Sequence, residues 1–136
     1  MRPLPTRLLP DSAEVLSGVL HIGGCNVLDL AAEFGTPAFV YDEQHLRDRC
    51  REAVDAFGPG VAYATKAFLC EAMAQLAYEE GMHLDVATGG ELHVALVAGV
   101  PADKLVLHGN NKSYAELRMG VEAGVHRIVV DSFDEL

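Results

Sequence analysis

The segment Gly60-Val61-Ala62-Tyr63-Ala64-Thr65-Lys66-Ala67 joins a short apolar run to a lysine just beyond its end. The run over 60–64 predicts a short buried strand, and Phe68 and Leu69 continue the apolar surroundings. Such surroundings favour the neutral amine of a lysine, which can then bond covalently to a carbonyl carbon. Lys66 is therefore a candidate nucleophile, and the alternative is an ordinary solvated loop lysine.

Apolar runs of similar length recur at a near-regular spacing along the chain. They predict strands at 37–41, 61–64, 83–87, 104–108 and 127–131. Amphipathic helical patterns alternate with these strands, at 43–57, 70–80, 90–98 and 113–123. Short strands that alternate with helices indicate an α/β fold with a parallel sheet and helical crossovers.

Two architectures contain such a sheet, the doubly wound open sheet and the (β/α)8 barrel. A dinucleotide-binding open sheet carries the motif GxGxxG after its first strand, and this sequence has no such motif. The regular period therefore favours a partial TIM barrel with about five of the eight βα units. Because a barrel without its last strands leaves two parallel edges unpaired, we expect the chain to be a fragment of a longer enzyme.

The two ends of the chain differ from the repeat. Residues 1–35 are predicted to precede the barrel, with a loose leader over the first dozen residues, an extended stretch at 18–22 and a helix from about Asn26 to Gly35. Residues 36–136 are predicted to form the barrel part. At the far end, Ser132 followed by Glu135 predicts a capping box that starts another helix.

Composition and charge exclude several classes of function. Nucleic acids and anionic membranes require a basic surface, and the formal charge of this chain is −10, so we expect neither as a partner. The cysteines form no CxxC pair and the histidines no HxxxH or HxH pair, which predicts no metal site and favours a cytoplasmic setting. No apolar run resembles a signal peptide or a membrane span.

The predicted strand ends carry a set of polar residues. In a (β/α)8 barrel the active site lies at the carboxyl ends of the strands. The residues at these ends are Tyr41-Asp42, Lys66, Asp85, His108-Gly109-Asn110-Asn111-Lys112 and Asp131. A lysine, an acid and a histidine on three successive strand ends suit a site that handles carbonyl compounds. We interpret Lys66 as the catalytic residue and Asp85 as an acid close enough to hold or tune its amine.

Several of these positions also have a purely structural interpretation. Asp85 is alternatively a polar residue that faces the helical layer. The glycines of Thr88-Gly89-Gly90-Glu91 could bind an anion at a helix N-terminus, but a tight turn with a capping box is preferred. His108 is alternatively a satisfied histidine at a strand end, and residues 110–112 are alternatively a turn that leads to the next helix.

Five motifs in series make the sequence resemble one enzyme family. They are Phe34-Gly35-Thr36-Pro37-Ala38-Phe39-Val40-Tyr41, Tyr63-Ala64-Thr65-Lys66-Ala67, Leu84-Asp85-Val86-Ala87-Thr88-Gly89-Gly90-Glu91-Leu92, His108-Gly109-Asn110-Asn111-Lys112-Ser113 and Ile128-Val129-Val130-Asp131-Ser132-Phe133-Asp134-Glu135-Leu136. Each motif alone is weak, whereas five in register are specific. The chain resembles the diaminopimelate decarboxylases of the ornithine, diaminopimelate and arginine decarboxylase family, with Thr88 where that family often has serine.

The resemblance implies a fold, a cofactor and a reaction. It implies a pyridoxal 5′-phosphate enzyme of the alanine racemase-like fold type III, a homodimer whose barrel is followed by a C-terminal β domain. Lys66 would carry the cofactor covalently, Asp85 would lie beside it, and His108 and Asn110 would line the rim. The implied reaction converts meso-2,6-diaminopimelate to L-lysine and CO2, the last step of lysine biosynthesis. The remaining cofactor and substrate residues would lie beyond Leu136, so we expect the chain alone to be inactive.

Other interpretations stay open beside this one. The chain could belong to another fold-type III enzyme, namely an ornithine or arginine decarboxylase or an amino acid racemase. A non-enzymatic relative that keeps the barrel to bind a protein partner is a different class, and the presence of Lys66 tells against it. A truncated, non-catalytic product is a third.

Overall fold

The computed structural model describes residues 6–136, which divide into two compact units, one that ends at Arg49 and one that spans Cys50–Leu136. Residues 1–5 of the predicted leader lie outside the described residues, and a short 3-10 turn follows at Thr6–Leu8. No helix in the described range is both long enough and apolar enough to cross a membrane. The predicted division between residues 35 and 36 stays a prediction.

The first unit contains a small antiparallel sheet and a helix. Strands β1 (Glu14–Leu16), β2 (Val19–Ile22) and β3 (Cys25–Asn26) pair in the order β1-β2-β3. The extended stretch predicted at 18–22 corresponds to β2, whereas its two partners were not predicted. Helix α1 (Val27–Phe34) begins at Asn26, whose Oδ1 accepts a hydrogen bond from the Leu28 N–H at 2.8 Å, as an N-cap requires.

Helix α2 (Glu43–Phe57) has the bounds that the sequence predicts, and Asp42 lies at its start. The buried carboxylate of Asp42 accepts hydrogen bonds from the Ser12 hydroxyl and, at 3.1 Å, from the His45 N–H. The Ser12 hydrogen bond, more than any other contact, lowers the pKa of Asp42. The interpretation of Asp42 as a strand-end site residue is therefore wrong, because its carboxylate caps α2 and anchors Ser12.

The strand predicted at 37–41 does not form. Residues 37–42 have no regular secondary structure and pair with no strand of the described chain, and Phe39 is 92% exposed. An apolar run becomes a strand only where a neighbouring strand satisfies its backbone N–H and C=O groups, and the sequence of the run itself cannot supply that neighbour.

The second unit contains the predicted parallel sheet. Its elements, in chain order, are β4 (Ala62–Ala64), α3 (Glu71–Glu79), β5 (His83–Val86), α4 (Gly89–Val97), β6 (Leu105–Leu107), α5 (Tyr114–Ala123) and β7 (Arg127–Ile128). The four strands are hydrogen-bonded in sequence order, and every neighbouring pair is parallel. Neighbours in sequence are thus neighbours in the sheet, as in the barrel that the sequence predicts.

The core of this unit lies between the sheet and its helices. Leu84 and Val86 of β5 are fully buried, and β5 contacts both α3 and α4. Because side chains alternate along a strand, Asp85 projects from the opposite face of the sheet. The interpretation in which Asp85 faces the helical layer is therefore excluded.

The predicted capping box near residue 132 is wrong. A 3-10 turn forms at Phe133–Glu135, and the side chain of Ser132 makes no cap hydrogen bond. The carboxylate of Glu135 instead accepts hydrogen bonds from the Lys112 amine and, at 2.9 Å, from the Asp131 N–H. The Glu135 carboxylate thus binds Lys112, which is distant in the sequence, and does not form the local capping box.

Candidate active site

A pocket of about 580 Å³ lies at the carboxyl ends of the four parallel strands. It is lined by Ala64, Lys66, Asp85, Ala87, His108, Gly109, Asn110 and Asp131. The strand register explains the convergence, because Ala64 lies opposite Asp85 on neighbouring strands. The structure thus brings Lys66, Asp85, His108 and Asp131 into one pocket, as the sequence predicts for these strand ends.

Lys66 is held in a short turn that directly follows β4. The turn is a 3-10 helix over Thr65–Ala67. The buried Thr65 hydroxyl donates to the Asp85 carbonyl oxygen at 2.9 Å, and the Tyr63 hydroxyl donates to the Phe68 carbonyl oxygen at 2.7 Å. These two hydrogen bonds fix the backbone on both sides of Lys66.

The surroundings of the Lys66 side chain differ from the sequence prediction. Apolar neighbours were expected to cover the amine, but the residue is exposed. Among residues 6–136 its amine has no hydrogen bond and no ion pair. The sequence neighbours Ala64, Ala67 and Phe68 form the turn and leave the amine open to the pocket.

Asp85 points into the same pocket, but its contact is with His108 and not with Lys66. Its Oδ2 lies 3.4 Å from His108 Nδ1. Its Oδ1 is buried and has no hydrogen-bond partner in the described chain. Since a buried carboxylate oxygen without a donor is costly, this atom marks where a donor is needed in the pocket.

His108 connects two acids across the sheet. Its backbone N–H donates to the Val86 carbonyl oxygen at 2.8 Å, which extends the β5–β6 ladder by one residue. On the side chain, Nδ1 faces Asp85, and Nε2 lies 3.7 Å from Asp131 Oδ1. Three successive strand ends thus contribute an acid, an imidazole and an acid in a row, with the imidazole about half exposed.

The glycines after Asp85 do not form an anion site. The Thr88–Glu91 capping box is present: the Thr88 hydroxyl accepts from the Glu91 N–H at 3.2 Å, and Glu91 Oε2 accepts from the Thr88 N–H at 3.2 Å. The Gly89 N–H donates to Glu116 Oε1 at 2.9 Å, and this bond, first among its contacts, lowers the pKa of Glu116. Because the protein's own carboxylates occupy this helix start, the preferred structural interpretation is confirmed.

Sequence reasoning missed the role of Lys112. The sequence places this lysine among the strand-end residues or, alternatively, in a turn, whereas its side chain is fully buried and forms an ion pair of 2.9 Å with Glu135. The amine also donates to the carbonyl oxygens of Gly109 and Val129, at 2.5 Å and 2.7 Å. No local pattern connects residues this far apart, so only the fold reveals the pair.

The backbone at position 109 passes so close to the end of β5 that only a glycine fits there. A Cβ atom at this position would lie 2.7 Å from the Ala87 carbonyl oxygen. That separation is shorter than real Cβ contacts allow, and the backbone oxygen cannot turn away. The loop after β6 therefore passes against the end of β5 only because residue 109 has no side chain.

These features suit an aldehyde cofactor that a lysine holds covalently. Lys66 is exposed and its amine has no partner among residues 6–136, and Asp85, whose Oδ1 is unpartnered, lines the same pocket. Comparison with known proteins identifies such a family: the model of the pyridoxal-dependent decarboxylases, pyridoxal binding domain, matches residues 43–136. This chain belongs to the pyridoxal-dependent decarboxylases.

Curated relatives within this family are named diaminopimelate decarboxylases. The chain is 55% identical to that of Mycobacterium bovis over 121 residues, which cover 88% of the chain and 27% of the relative. It is 50% identical to that of Bacillus subtilis over 124 residues, which cover 88% of the chain and 28% of the relative. The chain therefore spans little more than a quarter of the length of these relatives.

Solved structures of pyridoxal-dependent decarboxylases share the fold. Diaminopimelate decarboxylase from M. jannaschii in complex with L-lysine matches with a TM-score of 0.87 and 33% identity over 93% of this chain and 31% of that chain. Lysine/ornithine decarboxylase from Vibrio vulnificus complexed with putrescine matches with a TM-score of 0.72 and 28% identity over 80% of this chain and 31% of that chain. The four parallel strands are thus the N-terminal part of a barrel, as the sequence predicts.

Proposed function

We propose that the protein carrying this chain, at the full length of its relatives, is a pyridoxal 5′-phosphate-dependent carboxy-lyase; it is called the full-length protein below. Its proposed reaction converts meso-2,6-diaminopimelate to L-lysine and CO2, the last step of lysine biosynthesis. The observation that carries this proposal is that Lys66 lines one pocket together with Asp85, whose buried Oδ1 has no partner in the described chain. The names of the curated relatives support the choice of substrate.

The ionisable residues of the pocket have separate tasks in this reaction. Lys66 would hold the cofactor covalently through its side-chain amine. Asp85 would accept a hydrogen bond through Oδ1 and so orient a donor, and His108, which also contacts Asp131, keeps the carboxylate of Asp85 in place. When bound, pyridoxal phosphate supplies an electron sink for the electron pair that stays on the α-carbon as CO2 leaves.

The arrangement of the full-length protein is part of the proposal. Residues 1–35 would precede the barrel, residues 36–136 would form its first part, and a C-terminal β domain would follow. We propose a homodimer in the cytoplasm, with the amino acid substrate as the small-molecule partner. Outside residues 1–136 would lie the groups that bind the phosphate, the pyridine nitrogen and the substrate carboxylate.

A second candidate is decarboxylation of ornithine or lysine. The observation in its favour is the structural likeness to the Vibrio vulnificus lysine/ornithine decarboxylase. The identity to that enzyme is about half of the identity to the mycobacterial diaminopimelate decarboxylase. We therefore rank diaminopimelate first.

Direct assay of the full-length protein separates these candidates. The protein is loaded with pyridoxal phosphate and supplied in turn with meso-diaminopimelate, L-ornithine and L-lysine, and released CO2 is measured. We expect release from meso-diaminopimelate with L-lysine as the product, and none from a Lys66→Ala variant. Lys104→Ala removes a lysine from outside the pocket and is the matched control, which we expect to keep the activity. Release from ornithine or lysine alone would favour the second candidate, and an active Lys66→Ala variant would overturn the role of Lys66.

A further inference from the structure

A buried ion pair ties together the loops that follow β6 and β7. The Lys112 side chain has no exposed surface, and that of Glu135 is 8% exposed. Lys112 Nζ lies 2.9 Å from both carboxylate oxygens of Glu135. The same amine donates to the carbonyl oxygens of Gly109 and Val129, so that its hydrogens all have acceptors.

Stability alone gives little reason for such a pair. Two charges lose their hydration when they are buried, and a well-packed apolar pair of similar volume is often as stable. What an apolar pair cannot do is hold particular backbone oxygens at fixed positions. Lys112 holds one carbonyl oxygen from each loop, those of Gly109 and Val129. The directional contacts of the pair therefore point to a role in positioning the two loops.

The tied loops form one side of the pocket. His108, Gly109 and Asn110 line it from the loop after β6, and Asp131 lines it from the segment after β7. Glu135 Oε2 also accepts a hydrogen bond from the Asp131 N–H at 2.9 Å. Each end of the ion pair thus fixes the backbone of a pocket residue, Gly109 through Lys112 and Asp131 through Glu135.

The ion pair affects Asp85 indirectly, through the position of His108. The imidazole lies between the Asp85 and Asp131 carboxylates, so the separation of the two loops sets the position of the ring. The loop that carries His108 cannot move closer to β5, because Gly109 already lies against the Ala87 carbonyl oxygen. Lys112, paired with Glu135, restrains the same loop through the Gly109 carbonyl oxygen.

We propose that the Lys112–Glu135 pair is a positioning element that sets His108 and Asp131 around Asp85 and so gives the pocket its affinity for the cofactor. Neither residue lines the pocket, so both act through others. This inference rests on the proposed function, since it concerns the affinity for pyridoxal phosphate.

The test measures cofactor affinity and thermal stability separately in the full-length apoprotein. Lys112→Met breaks the pair, and the double variant Lys112→Met/Glu135→Leu replaces both charges by apolar groups of similar size. Arg118→Met is the matched control, because it breaks an exposed ion pair of 2.7 Å with Glu122 on α5. Each apoprotein is titrated with pyridoxal phosphate well below its unfolding midpoint, and the dissociation constant is determined from the absorbance of the bound cofactor.

We expect at least a tenfold rise in the dissociation constant for Lys112→Met and for the double variant, and no change for Arg118→Met. The double variant should unfold at a higher temperature than Lys112→Met while its affinity stays low. A double variant that regains both stability and affinity would overturn the proposal, as would affinities within twofold of the wild type. If neither variant folds, the pair serves folding and the proposal is also overturned. A wild-type protein that binds no pyridoxal phosphate would refute the proposed function first, and the inference with it.

Discussion

The imidazole of His108 lies between two carboxylates, with Nδ1 3.4 Å from Asp85 Oδ2 and Nε2 3.7 Å from Asp131 Oδ1. This contact occupies one oxygen of Asp85 and leaves Oδ1 buried without a donor. Asp85 is thereby anchored at one oxygen and available at the other. An acid fixed in this way can orient a group beside Lys66 without itself being mobile.

Replacement of Asp85 by Ala is expected to weaken decarboxylation while the protein stays folded. A misplaced reacting group costs about a hundredfold in rate, so we expect a loss of about ten- to a hundredfold in kcat/KM. The measurement is the rate of CO2 release, with circular dichroism as a test of folding. Asp55→Ala, an exposed acid of α2 outside the pocket, is the control. Loss of folding in the Asp85 variant would favour a structural role instead.

Replacement of Gly109 by Ala is expected to destabilise the protein. The added Cβ would lie 2.7 Å from the Ala87 carbonyl oxygen, and relief requires a backbone shift that costs about 1–3 kcal/mol. The measurement is the urea midpoint of the full-length protein. Gly90→Ala is the matched control: its Cβ meets only Thr88 Oγ1 at 3.8 Å, inside helix α4, where alanine is favoured. Equal midpoints for the Gly109 variant and the wild type would contradict the close approach.

Replacement of Glu116 by Gln is expected to reduce stability in a pH-dependent way. Hydrogen bonds from Gly89 and Ser113 hold the pKa of Glu116 below 4.5 in the folded chain. The unfolded chain therefore takes up a proton first as the pH falls, so the stabilisation is complete above pH 4.5 and is lost as the pH falls through the folded pKa. We expect a difference of about 1 kcal/mol at pH 7 that persists down to about pH 4.5 and shrinks as the pH falls further. Urea unfolding at several pH values measures it, and a difference that grows on acidification would have the wrong sign.

Protonation of His83 is expected to destabilise the second unit in mild acid. Burial lowers the pKa of His83 below 6.5, and Lys104 and the neighbouring His126, whose ring centre is 5.2 Å away, add to the effect, while Asp103 opposes it. Since the unfolded chain binds the proton more readily, the stability is highest above pH 6.5 and decreases below it. A His83→Gln variant should show a smaller decrease than the wild type between pH 7 and pH 5. His93→Gln, which changes an exposed histidine of α4, is the control.

The sequence predicted the local elements of this fold well. Helix α2 has its predicted bounds and α5 nearly so, because their starts and ends depend on caps and on an apolar period that lie within the segment itself. The convergence of Lys66, Asp85 and His108 was also predictable, since parallel strands place their carboxyl ends at one edge of the sheet.

Features that depend on distant partners could not be predicted in the same way. The apolar run at 37–41 has the composition of a strand but no neighbouring strand in the described chain. Ser132 and Glu135 have the spacing of a capping box, but the charge of Lys112 competes for the Glu135 carboxylate. In the first case the lack of a neighbouring strand decides the structure. In the second case the contact with Lys112 decides it.

Chemical trapping tests the covalent attachment of the cofactor to Lys66. The full-length protein is loaded with pyridoxal phosphate and reduced with borohydride, and its peptides are mapped by mass spectrometry. We expect the reduced cofactor on the peptide that contains Lys66, with loss of the label in a Lys66→Ala variant. A label on any other lysine, or an undiminished label in that variant, would contradict it.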